Sequence, residues 1–124
     1  MAKIAIVDDS RLARTLEANS LIPEGHTVRD IDPTSLFDVL KVLHDDPPDL
    51  LVMDFLMPNC PGPSLARACK DDLALEHMKI MVVTAHVDKD TDQLLKRLGV
   101  VAVLRKPIAP KTLQEAVTSI LAGS

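Results

Sequence analysis

Five short apolar runs, set apart by stretches of helical periodicity, constrain this chain more than any other feature. The runs cover residues 4–7, 27–31, 50–53, 80–83 and 100–104, the second weaker than the rest. Their length and β-branched content predict strands, and their near-continuous apolarity predicts burial on both faces. Between them, apolar residues recur at helical spacing. Leu113, Ala116, Val117, Ile120 and Leu121 form the clearest stripe; Leu36, Val39, Leu40 and Leu43 form another, and Leu94, Leu95 and Leu98 a shorter one closed by Gly99 as a C-cap. Ser10 caps an expected first helix whose apolar face would be Leu12, Ala13 and Leu16. Pro23-Glu24-Gly25, Pro47-Pro48 and Pro61-Gly62-Pro63 punctuate the pattern. Strict alternation of strand and helix implies an α/β fold: a parallel sheet with helices on both faces, joined by right-handed crossovers.

A chain of 124 residues that is 47% hydrophobic is the size of one domain, residues 1–124, with a single sizeable core. A net charge of -4 leaves no electrostatic footprint for nucleic acid or anionic lipid, and the absence of Trp and Tyr removes stacking platforms for bases. No apolar stretch reaches the ~20 residues of a membrane span. Met1-Ala2-Lys3-Ile4 lacks the layout of a signal peptide, so a cytoplasmic location is expected. Cys60 and Cys69 match no zinc or redox spacing and read as reduced packing residues.

The polar residues that end the strong runs carry the chemistry. The first run stops at Asp8-Asp9, the third at Asp54, the fourth at Thr84 and the fifth at Arg105-Lys106-Pro107. In a parallel sheet these ends share one edge, and ligands of open α/β sheets bind in the crevice outside it. Clustered carboxylates repel one another unless a cation sits among them or protons are taken up. Mg²⁺ suits such a set, because it takes one or two carboxylates and leaves places for phosphate oxygens; Mn²⁺ is a possible substitute. A carboxylate is also a competent nucleophile toward phosphorus, forming an aspartyl phosphate. Metal and lysine would neutralise charge on the transferred group, and the Thr84 hydroxyl would donate to it.

At these residues the chain resembles the receiver domain of two-component response regulators. The match consists of Asp8-Asp9-Ser10, Asp54-Phe55-Leu56-Met57-Pro58 with Gly62, Thr84-Ala85 and Lys106-Pro107, in that order along the whole chain. The resemblance implies a doubly wound, flavodoxin-like sheet of order 2-1-3-4-5 with five helices. It implies that Asp54 is the phosphoacceptor, that Asp8, Asp9, Asp54 and the Leu56 backbone carbonyl hold Mg²⁺, and that Lys106 pairs with phosphate and carboxylate. Thr84 would be the switch hydroxyl, and the Lys106–Pro107 peptide would be cis. The phosphodonor would be a histidine kinase or histidine phosphotransfer protein. A downstream protein or effector domain would read the face formed by the fourth helix, fifth strand and fifth helix. Self-phosphorylation and self-dephosphorylation are expected, with no separate substrate turnover.

This sequence also departs from the family pattern. Val103 stands where many receivers carry an aromatic residue that swings inward upon phosphorylation, so the signal would rest on Thr84 and loop movement. Leu56 and His86 occupy positions that tune loss of the phosphoryl group; the apolar Leu56 cannot orient an attacking water, whereas an imidazole at His86 can. The surroundings of Arg105 lack the aromatic of many winged-helix regulators. Two other readings are a receiver-like binding module that works without phosphorylation, and a phosphatase using an aspartyl intermediate. The latter wants an acid two residues after its nucleophile, where this chain has Leu56. Asp88-Lys89-Asp90-Thr91-Asp92 imitates a calcium loop, but Gln93 and Gly99 replace the required glycine and glutamate, leaving acidic residues that open a helix. Asp45-Asp46 and Asp71-Asp72 read as solvated helix ends, and His26, His44 and His77 as surface residues without metal spacing.

Overall fold

The computed structural model describes residues 2–123. Strands and helices alternate throughout: β1 (Lys3–Val7), α1 (Arg11–Leu21), β2 (Thr27–Ile31), α2 (Leu36–Asp45), β3 (Leu50–Met53), α3 (Gly62–Lys70), β4 (Lys79–Thr84), α4 (Lys89–Arg97), β5 (Val100–Arg105) and α5 (Pro110–Ala122). All strand pairs are parallel, in the order β2-β1-β3-β4-β5. The strand order switches beside β1, whose carboxyl end therefore faces an open crevice next to that of β3.

Period-two alternation splits the central strands between two cores. Ile4, Ile6, Leu50, Val52, Met81 and Val83 pack with Leu21 of α1 and with Leu113 and Val117 of α5. Ala5, Val7, Leu51, Met53, Ile80 and Val82 pack on the other side with Val39 and Leu43 of α2, Leu65 of α3 and Leu95 of α4. All four residues of β3 are buried, as expected of a central strand covered on both faces.

Helix ends follow their capping chemistry. The Ser10 hydroxyl accepts from the Ala13 N–H at 3.1 Å, and the Asp88 carboxylate accepts from Thr91 at 2.8 Å, with Asp90 and Asp92 in the first turn of α4. The calcium-like stretch is thus the start of a helix. Gly99 follows α4 at φ 89°, the left-handed conformation that a C-terminal glycine supplies. Cys60 and Cys69 are buried free thiols, and burial pushes Cys69 up to about 12.

The first helix corrects the sequence reading. Leu12 and Leu16, expected to face the core, are 68% and 58% exposed, whereas Arg14, Glu17, Ser20 and Leu21 are buried. Both stripes have helical spacing, so periodicity alone does not choose between them. The polar groups beneath α1 decide it: they offer Arg14 oxygen partners that no leucine could use. Leu12, Ala13 and Leu16 instead form one wall of a groove of about 470 Å³ whose other wall is Pro107, Ile108 and Pro110.

Candidate functional site

Four of the five strands, β1, β3, β4 and β5, end in polar residues at the carboxyl edge. The ladder of β1 ends at Val7, and Asp8 follows, buried beyond it. The Asp54 N–H donates to the Val7 carbonyl at 3.1 Å, which holds the end of β3 level with that of β1. Ligand oxygens of Asp8, Asp9 and Asp54 lie within 4.8 Å of one another, with Asp9 exposed to solvent. The Lys106 ammonium reaches in from the end of β5 and donates to Asp8 Oδ2 at 2.7 Å and to Asp54 Oδ2 at 3.1 Å. The remaining oxygens are also aimed: Asp8 Oδ1 accepts from the Ser10 N–H at 2.8 Å, and Asp54 Oδ1 from the Phe55 N–H at 2.6 Å.

The backbone of Lys106 is tied to the end of β4. Its N–H donates to the Thr84 carbonyl at 2.9 Å, and the following Lys106–Pro107 peptide is cis. Thr84 is fully buried at the end of β4, and its hydroxyl oxygen accepts from the His86 N–H at 3.2 Å. It makes no hydrogen bond to the carboxylates. Between Asp54 and α3 the chain doubles back so tightly that a Cβ on Gly62 would stand 2.8 Å from the Phe55 carbonyl oxygen and 3.0 Å from that of Asp54. Leu56 lies on this turn and is 51% exposed, and among the described residues no donor bonds its carbonyl. Val103 packs against the core as an ordinary strand residue.

Electrostatics here are unbalanced. Burial pushes the Asp8 carboxyl above its ordinary pKa, although Lys106 and the Ser10 N–H both bond to its charged form. Burial opposes the charge on Lys106, but the hydrogen bonds to Asp8 and Asp54 prevail and hold its pKa above the ordinary value. One ammonium against three carboxylates leaves room for further positive charge, and an all-oxygen donor set suits a small hard cation. Sequence reasoning missed Glu17, which lies 5% exposed on the floor of the groove that also exposes Lys106. Burial, and then the charge of Asp8, push its carboxyl up to about 7. Its spacing from Arg14 and Leu21 was the available signal, overlooked because the leucines at positions 12 and 16 form a more apolar stripe.

The response regulator receiver domain model matches residues 4–118. The chain belongs to that family. Protein PilH of Pseudomonas aeruginosa is 31% identical over 124 residues, spanning 99% of this chain and 100% of its own length. The polar-differentiation response regulator DivK of Brucella ovis is 29% identical over 119 residues, 95% of this receiver and 94% of that protein. Among solved structures, a putative response regulator from Chloroflexus aurantiacus superposes with a TM-score of 0.88 at 26% identity, covering 98% of each chain. Chemotaxis protein CheY4 of Vibrio cholerae shares the fold at a TM-score of 0.88 and 24% identity, over 97% of this chain and 98% of that one. Receivers are signalling modules of two-component systems that act through other proteins. Among the described residues of this one, no helix is long and apolar enough to cross a membrane.

Proposed function

We propose that residues 1–124 work as one phosphorylatable receiver in which Asp54 accepts a phosphoryl group from a phosphohistidine on a histidine kinase or phosphotransfer protein. The observation that carries this reading is the Lys106 ammonium shared between Asp8 and Asp54, beside three carboxylates whose oxygens converge within 4.8 Å. Asp8, Asp9, Asp54 and the Leu56 carbonyl would hold Mg²⁺. When bound, the ion supplies positive charge to the phosphoryl oxygens. Asp54 Oδ attacks phosphorus, the phosphorus–nitrogen bond to the donor imidazole breaks, and the imidazole keeps the electron pair. Lys106 stays within reach of the transferred group and offsets its charge. Among the described residues the Thr84 hydroxyl accepts from the His86 N–H and donates to no protein group, which leaves its proton for a phosphoryl oxygen. That bond would draw in the loop after β4 and change the surface that a partner reads. The protein works in the cytoplasm on this reading.

Incubation with acetyl phosphate and Mg²⁺, followed by intact-protein mass spectrometry, tests the proposal. A phosphoryl mass gain that disappears with EDTA and in Asp54→Ala is expected. No gain in the wild type, or an equal gain in Asp54→Ala, would overturn it.

A further inference from the structure

The buried guanidinium of Arg14 is the feature of the carboxyl edge that the site chemistry leaves unexplained. Arg14 lies on α1, is 7% exposed, and turns toward the sheet instead of toward water. Its Nη1 donates to the backbone carbonyl of Asp8 at 2.6 Å. Its Nε donates to Asp30 Oδ1 on β2, and Asp32 Oδ1 stands 4.0 Å from Nη1.

The carbonyl it holds lies just past the point where β1 stops pairing. Val7 is the last residue of β1 in register with both neighbours, so the Asp8 carbonyl has no strand to donate to it. A buried carbonyl without a donor is costly, and a charged donor is among the strongest available. That same carbonyl belongs to the planar peptide joining Asp8 to Asp9. Fixing its direction fixes the orientation of the plane, and with it the launch of Asp9 relative to Asp8. Those two residues supply two of the three clustered carboxylates.

Only an arginine spans this arrangement. Its planar fork presents several donors in a fixed geometry, so one side chain can bond a backbone carbonyl and a carboxylate together. Asp30 fixes the fork, and the fork fixes the peptide. We infer that Arg14, oriented by Asp30, is a positioning residue that sets the Asp8–Asp9 peptide for divalent cation binding. The inference rests on the proposed metal-dependent reading of the site and adds to it a requirement outside the carboxylates.

Calorimetric titration of the unphosphorylated protein with Mg²⁺ tests it without recourse to activity. Loss of groups that orient metal ligands typically weakens affinity 10- to 100-fold, so Arg14→Met is expected to weaken Mg²⁺ binding about tenfold. Arg14→Lys, which keeps the charge but cannot bridge both partners, should fall between wild type and Arg14→Met. Asp30→Asn leaves Arg14 in place beside a weaker acceptor and should cost a few-fold, which keeps the test open if Arg14→Met does not fold. With acetyl phosphate, the Mg²⁺ concentration for half-maximal phosphorylation should rise in the same order while the rate at saturating Mg²⁺ returns to the wild-type value. A merely structural arginine would lower the melting temperature and leave these concentrations unmoved. Mg²⁺ binding by wild type with unchanged affinity in the folded variants would overturn the role of Arg14 alone. A wild type that binds no Mg²⁺ would overturn the metal-dependent reading and this inference with it.

Discussion

The two edges of the sheet handle charge in opposite ways. At the amino edge, Lys3 and Arg29 meet Asp46, and His44 meets Asp72 at 2.8 Å. Apart from Asp72, these side chains keep about a third or more of their surface in water, so forming or losing a pair changes hydration little. At the carboxyl edge, Asp8, Arg14, Glu17 and Thr84 are all buried. Charge there is held against desolvation by a few directed hydrogen bonds, and among the described residues Glu17 receives none. The amino edge is built as a surface, whereas the carboxyl edge keeps groups that a fold optimised for stability alone would replace with apolar ones.

Glu17 gives the largest expected departure between the edges. A carboxyl with a folded-state pKa of about 7 and an ordinary value of 4.5 binds more protons in the folded than in the unfolded state between those limits. Wild-type stability therefore falls as pH rises through that window. Glu17→Met removes the effect and should stabilise the protein by on the order of 2–3 kcal/mol at pH 8. The gain should shrink as pH falls through 7 and level off below 4.5. Urea unfolding of both proteins at pH 5 and pH 8 reads it directly, and a gain independent of pH would show that burial does not raise this carboxyl.

Gly62 comes next, and its effect is steric. An added methyl would meet the backbone of Asp54 and Phe55, which cannot swing aside as a side chain would. Gly62→Ala should therefore cost about 1–3 kcal/mol, the usual range for overpacking. Because the strain falls on the turn carrying Asp54 and Leu56, Mg²⁺ affinity should drop as well. Unfolding and titration of the same variant test both, and unchanged values in both would mean that the turn relaxes freely.

These two residues also mark how far the sequence could be read. The fold was legible because β3 is apolar at every position and because charged residues stand at strand ends. Parallel pairing then forces Asp8, Asp54, Thr84 and Lys106 to one edge whatever the loops do. Gly62 was legible as part of a motif, but not as a close backbone approach, which depends on where Asp54 and Phe55 sit in space. The buried face of α1 was not legible. Leu12, Ala13 and Leu16 form a regular stripe, and only the positions of the Asp8 carbonyl and Asp30 make Arg14 a better occupant of the interior. Shared use of Lys106 by two carboxylates was likewise a matter of distance rather than pattern.

The amino edge should yield the smallest effect. Lys3 donates to Asp46, whose carboxyl is held below its ordinary pKa by that hydrogen bond and further by the charges of Lys3 and Arg29. A lowered carboxyl pKa adds stability above its ordinary value of 3.8, and that stability is lost as pH falls through the folded-state pKa. At neutral pH Lys3→Met removes the pair, but Lys3 and Asp46 are 48% and 58% exposed, and water replaces most of what is lost. The urea midpoint should therefore move far less than for Glu17→Met, and in the opposite direction. The difference should narrow further in 1 M salt, where the Debye length falls to about 3 Å. It should also vanish in acid once Asp46 is protonated. A Lys3→Met change as large as that of Glu17→Met, or one indifferent to salt, would mean that the two edges are not built on different principles.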